Sequence, residues 1–133
     1  MLALRESRTV ALVVAAAVAL ASGCHRPGGA APTLLVQCQI TPSPARVGPA
    51  TALIQLTDLA TGHPAPGAVV SVEGDMSHAG MTPVFATAKA IGDGRYAAPL
   101  TLTMAGDWVM IVHAAVPGRP AEERQIPLPG VRP

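Results

Sequence analysis

Gly94-Arg95-Tyr96-Ala97-Ala98-Pro99-Leu100-Thr101-Leu102-Thr103-Met104-Ala105-Gly106-Asp107-Trp108-Val109-Met110-Ile111-Val112 is the stretch that decides the fold. In its first half Tyr96, Ala98, Leu100 and Leu102 recur at every second position, with Thr101 and Thr103 on the other face. A period of two is the signature of a half-buried strand. In its second half Trp108 to Val112 is apolar at every position, as a central strand covered on both faces requires. Met104-Ala105-Gly106-Asp107 lies between them and reads as the turn. Pro99 offers no backbone donor, so it belongs at a sheet edge or a bulge.

Outward from this hairpin the same pattern repeats. Strand-like segments fall near 34–41, 50–58, 67–74, 84–90 and, weakly, 121–128, each bounded by Pro, Gly or Asp turns. Ala52, Ile54 and Leu56 share one face of the second segment; Ala68, Val70 and Val72 share one face of the third. Gly92-Asp93-Gly94 supplies the positive φ angles of a tight connection. Pro120, Pro127 and Pro129 make the last segment an edge strand at best. With no helix signal anywhere beyond the N-terminus, the expected fold is all-β: an immunoglobulin-like β-sandwich of about seven antiparallel strands, occupying residues 33–133.

Ahead of that domain the chain changes character. Arg5 and Arg8 precede an uncharged apolar run from Val10 to Leu20, the anatomy of a secretory signal peptide over residues 1–23. The run is too short to span a membrane, which takes about 20 apolar residues. It closes on Leu20-Ala21-Ser22-Gly23-Cys24, which resembles the lipobox of bacterial lipoproteins. That resemblance implies cleavage before Cys24, a lipid on its sulfur and attachment to an envelope membrane, facing the periplasm. Ala21 stands where such motifs more often carry Leu, so cleavage without lipidation is the alternative. His25 is not the Asp of the inner-membrane retention signal, which favours the outer membrane. Residues 24–32, with His25-Arg26-Pro27-Gly28-Gly29-Ala30-Ala31-Pro32, then read as a flexible tether.

Composition removes several classes of function. Beyond Cys24, seven Lys and Arg balance seven Asp and Glu, and Phe85, Tyr96 and Trp108 are the only aromatics. Neither a basic surface nor a stacking platform is available, so nucleic acid is excluded as a partner. No Gly-x-Ser-x-Gly elbow and no phosphate-cradling glycine loop is present, and Asp75 near His78 lacks a nucleophile, so the chain reads as non-enzymatic. Cys38 is the one cysteine after Cys24. In Leu34-Leu35-Val36-Gln37-Cys38-Gln39-Ile40 it shares a face with Leu34, Val36 and Ile40, so it reads as a buried apolar side chain.

The one chemically unusual stretch is Glu73-Gly74-Asp75-Met76-Ser77-His78-Ala79-Gly80-Met81-Thr82-Pro83, read as a loop between the third and fourth strands. Met76, His78 and Met81 fall within six residues. Thioether and imidazole together suit Cu(I), a soft ion tolerant of two to four ligands. If successive strands alternate in direction, the turn carrying Met104 lies at the same end of the sandwich, making Met104 the fourth candidate ligand. His63 and His113 then fall at the opposite end and read as bystanders. Against the metal reading, Met76 and Met81 can plug the end of the core, and Met104 continues the inward parity of its strand.

The Met-x-His-x-x-Met run at 76–81, Gly94-Arg95-Tyr96, and Leu102-Thr103-Met104-Ala105-Gly106-Asp107-Trp108 together resemble the YtkA-like/FixH-like domain family. That family's domains are small, immunoglobulin-like and envelope-facing, and are associated with copper handling and the assembly of copper-containing oxidases. The resemblance implies that Met76, His78, Met81 and Met104 occupy Met/His-rich positions, and that Tyr96, Gly106 and Trp108 are structural. The chain departs from FixH in lacking a retained transmembrane helix. Two functions follow as expectations. The first is Cu(I) binding for delivery or sequestration, with a copper-dependent envelope protein or metal efflux complex as partner. The second is a metal-free, non-catalytic interaction module of an envelope or transporter complex.

Overall fold

The computed structural model describes residues 29–133. The expected signal peptide, Cys24 and the first part of the tether lie outside the described residues. From Leu34 onward the chain forms eight strands and no helix: β1 (Leu34–Thr41), β2 (Gly48–Asp58), β3 (Val69–Met76), β4 (Val84–Thr87), β5 (Lys89–Gly92), β6 (Arg95–Leu102), β7 (Gly106–Ala115) and β8 (Glu122–Val131). They make two four-stranded antiparallel sheets, ordered β1-β2-β6-β5 and β4-β3-β7-β8. The two inner faces close on one core, so residues 29–133 form a folding unit in themselves.

Alternation in the sequence is what builds that core. Ile54, Leu56, Tyr96, Ala98 and Leu102 point inward from one sheet, and Val70, Val72, Trp108, Met110 and Val112 from the other. Each aliphatic side chain so buried contributes about 1.5–3 kcal/mol. Tyr96 adds a polar clasp: its buried hydroxyl donates to Ala65 C=O at 3.1 Å and accepts from Ala68 N–H at 3.0 Å, fixing the β2–β3 connection against β6.

The sandwich has eight strands rather than about seven because the expected strand at 84–90 is two. β4 pairs with β3 in one sheet and β5 with β6 in the other. At the crossing the Ala88 N–H donates to Val70 C=O at 2.9 Å. Neither glycine nor proline marks the switch, so nothing local announces it. Pro99 pairs opposite Thr51 beyond Ala97, where β5 has stopped and β6 is the sheet edge, as a residue without a donor requires. The Asp93 turn bears out the reading of Gly92-Asp93-Gly94, with φ of 103°, 52° and 68°. β8 is longer than its prolines suggested, because an edge strand tolerates missing donors. The chain end adds to it: Arg132 N–H donates to Ala45 C=O at 3.0 Å, and Val47 N–H to Arg132 C=O at 2.8 Å.

The opposite end is held by charge. Glu122 accepts from the Thr33 hydroxyl at 2.6 Å, from the Thr33 N–H, and from Leu34 N–H at 3.3 Å. Burial pushes this carboxyl up, but those three donors and Arg124 outweigh it and hold it below the usual carboxylate range. Asp58 pairs with Arg119 and accepts from Ala60 N–H at 2.8 Å. The Arg119 hydrogen bond and the Ala60 N–H hold its carboxyl below the ordinary value.

Candidate metal centre

Strand direction brings the third and sixth inter-strand connections to one end of the sandwich. In the register of β3 and β7, Met76 stands opposite Trp108. The Trp108 indole N–H in turn donates to the Met104 carbonyl at 3.0 Å, so the β6–β7 turn is fastened to the ring that lies beside Met76. Gly106 completes the arrangement. Its φ of +126° suits glycine, and a Cβ there would lie 3.2 Å from the Met76 Cε. The Met76 methyl therefore packs directly beneath the turn that carries Met104.

Met76 is not a loop residue, contrary to the sequence expectation. β3 runs from Val69 to Met76, starting and ending two residues later than expected, because Gly67 with φ of 77° turns the chain and delays its start. Inward parity through Val70, Val72 and Gly74 then buries Met76 to 5% exposure. Gly74 makes space for this packing: a Cβ there would meet Val84 Cγ2 at 2.8 Å and Met110 Cε at 3.0 Å. His78, Gly80 and Met81 follow in the connection to β4, where the Met81 N–H donates to His78 C=O at 3.3 Å. His78 is exposed and Met81 is half-buried against the core. Met104, 46% exposed, does not plug the core despite its parity, because β6 ends at Leu102.

The four residues thus lie on neighbouring segments at one end of the sandwich, Met76 buried, Met81 half-buried, and Met104 and His78 open to solvent. The donor set fits a soft monovalent ion: uncharged thioethers keep ligand strength at low polarity, where a carboxylate would resist burial. Among the described residues no three His, Cys, Asp or Glu side chains are grouped so as to hold an ion. Asp75 and Asp107 flank the end but are engaged with backbone, accepting from Met76 N–H and Gly130 N–H, each at 2.8 Å.

His63 and His113 lie at the other end, as expected. His63 lies in the β2–β3 connection, its carbonyl accepting from Asp58 N–H at 2.8 Å. His113 on β7 has Glu73 at 3.6 Å and Glu123 at 3.5 Å. Cys38 faces inward on β1 and is half-buried; desolvation pushes its thiol up to about 11, which suppresses thiolate chemistry.

The supporting parts were only partly legible from the sequence. Gly106 was expected to be structural from the family resemblance alone, Gly74 gave no signal at all, and their neighbours across the fold reveal that both stand where the end of the sandwich needs room. A family model described as YtkA-like matches residues 35–113, a span that holds all four candidate ligands together with Tyr96, Gly106 and Trp108. No curated protein and no solved structure matches the chain.

Proposed function

The chain belongs to the YtkA-like family, and on that premise we propose that it is an envelope lipoprotein, anchored through Cys24, which takes up Cu(I) for delivery or sequestration. Met76, His78, Met81 and Met104 supply the donors. Copper is cargo in this reading, and the domain is non-catalytic. The observation that carries it is the fastening of the Met104 turn to Trp108 directly above Met76. That contact fixes the backbone of the Met104 turn over Met76, and the His78–Met81 turn follows directly on Met76, which supports the reading of these residues as one donor set.

Polarity of the domain bears on the partner. β1 begins at Leu34 opposite Asp58, at the end of the sandwich remote from Met76 and Trp108. A strand of eight residues spans about 26 Å at about 3.3 Å per residue. A lipid on Cys24 therefore tethers the end away from the methionines and leaves the opposite end free for a partner. Its partner in this reading is a copper-dependent envelope protein or a metal efflux complex.

Titration of residues 29–133 with Cu(I) against a competing chelator tests the reading. Submicromolar affinity that is lost in the Met104→Ala, His78→Ala double variant supports it. Binding weaker than micromolar, or unaltered by that variant, removes it. The burial of Met76 favours a second reading, in which the methionines only pack and the domain is a metal-free interaction module. An envelope partner retained after metal is stripped supports that one.

A further inference from the structure

One sheet edge of this sandwich is left open and unguarded. The Leu56 N–H donates to Gly94 C=O and the Leu56 C=O accepts from Ala65 N–H, so even-numbered β2 residues turn their backbone groups away from β1. Leu56 stands opposite Val36, Ile54 opposite Cys38 and Ala52 opposite Ile40. In an antiparallel ladder such pairs exchange no hydrogen bonds, and their β1 members point N–H and C=O outward. Leu34, of the same parity, confirms the direction: its N–H reaches Glu122 and its C=O accepts from Arg124, both side chains of β8.

Those two side chains seal the edge at Leu34. At the far end Ala45 and Val47 pair with Arg132 and seal it again. Between the seals Val36, Cys38 and Ile40 turn three N–H and three C=O groups away from β2, and at Val36 and Cys38 this edge borders a cleft of about 730 Å³ that reaches Ile126 across the seam. The other edges are managed differently. β4 and β5 have four residues each, and β8 carries Glu122, Glu123, Arg124 and two prolines. β1, Leu-Leu-Val-Gln-Cys-Gln-Ile-Thr, has eight residues and not one charge or proline, the protections an edge strand ordinarily carries.

We propose that the β1 edge pairs with the β1 edge of a second copy of this chain, antiparallel and about a two-fold axis through Cys38. The open row is self-complementary about that centre: Val36 meets Ile40 of the second copy, and Cys38 meets Cys38. On the outer face the exposed Gln37 stands opposite Gln39 of the second copy, where two amides can hydrogen-bond each other. No like charges oppose one another anywhere along the strand, because the strand has none. The result is a continuous eight-stranded sheet, with both metal ends and both tether ends outside the contact. The pairing stands whether or not the domain binds copper.

Sedimentation of residues 29–133 at tens of micromolar tests this, with the register checked by disulfide trapping. The wild-type chain is expected to sediment as a dimer. Gln37→Lys with Gln39→Lys places like charges across the pairing on two solvent-facing positions, and is expected to give a folded monomer whose cooperative melt no longer depends on protein concentration, as the wild-type melt does. In a Cys38→Ser background, Gln37→Cys and Gln39→Cys chains are expected to form a disulfide only when mixed. Directly opposed residues of this kind lie about 4.5 Å apart between Cα atoms, while two copies of either alone sit beyond bridging distance. A wild-type monomer at every concentration overturns the proposal. So does a dimer that survives the lysines and gives no mixed disulfide.

Discussion

The Trp108 indole donates to the Met104 carbonyl at 3.0 Å, and this contact joins the only tryptophan of the chain to the turn beside the candidate metal site. Because Trp108 also stands opposite Met76, its emission reports on both. Addition of Ag(I), a redox-inert stand-in for Cu(I), is expected to quench and shift the fluorescence of the wild-type domain at stoichiometric metal. The Met104→Ala, His78→Ala double variant should leave the spectrum unmoved at the same concentration. Equal quenching in both would show that silver acts elsewhere.

Tyr96→Phe removes a hydroxyl that satisfies two backbone groups at once, the buried Ala65 C=O and the partly buried Ala68 N–H. Leaving both without partners costs more than a single exposed hydrogen bond, and a loss of about 2–3 kcal/mol is expected in urea denaturation. The position should have no influence on metal affinity, since it acts at the β2–β3 connection.

Gly94→Ala is expected to cost about 2 kcal/mol or more, read from the same denaturation experiment. Its φ of +68° disfavours any side chain, and the new Cβ would lie 2.7 Å from Leu56 C=O oxygen and 2.9 Å from Ala65 N, both backbone atoms that cannot swing aside. Gly118, also at positive φ but with nothing near, should lose less on the same change.

Acid sensitivity follows from the two restrained carboxylates at the tether end. Asp58 and Glu122 titrate below their unfolded values, so the folded state binds fewer protons than the unfolded one around pH 4. Their contribution is fully present above the unfolded values, about 4. It is lost as pH falls through the folded ones. Asp58→Asn should therefore lower stability at neutral pH and flatten its decline below about pH 5. An acid limb identical to wild type would show that Asp58 has no part in it.

Where a signal was periodic, the sequence carried it into the structure. Tyr96 to Leu102 and Ala52 to Leu56 alternate as expected because a pleated strand has one solvent face, and Asp93 turns where its flanking glycines permit. What stayed hidden was whatever depends on neighbours distant in sequence. The sheet switch at Ala88 is a matter of which strand lies alongside, and no residue type encodes it. Met76 reads as loop because Gly74-Asp75 resembles a turn, yet the missing side chain of Gly74 is what admits Val84 and Met110. The pairing of Glu122 with Thr33 spans the domain and was invisible for the same reason.

The burial difference among the candidate ligands separates packing from binding. Met76 is 5% exposed, so Met76→Ala opens a cavity beside Trp108 and is expected to cost about 2–5 kcal/mol whether or not metal is involved. Met104 is 46% exposed, and Met104→Ala should change stability by no more than about 0.5 kcal/mol. His78→Ala, also at an exposed position, should behave alike. Cu(I) affinity is expected to respond otherwise: each of the three variants weakens it by about tenfold or more, equal to about 1.4 kcal/mol. Met76→Leu separates the two roles, since it restores volume without the thioether. Recovered stability with unrecovered affinity identifies the sulfur as a ligand, whereas wild-type affinity in Met76→Leu would make Met76 a packing residue alone.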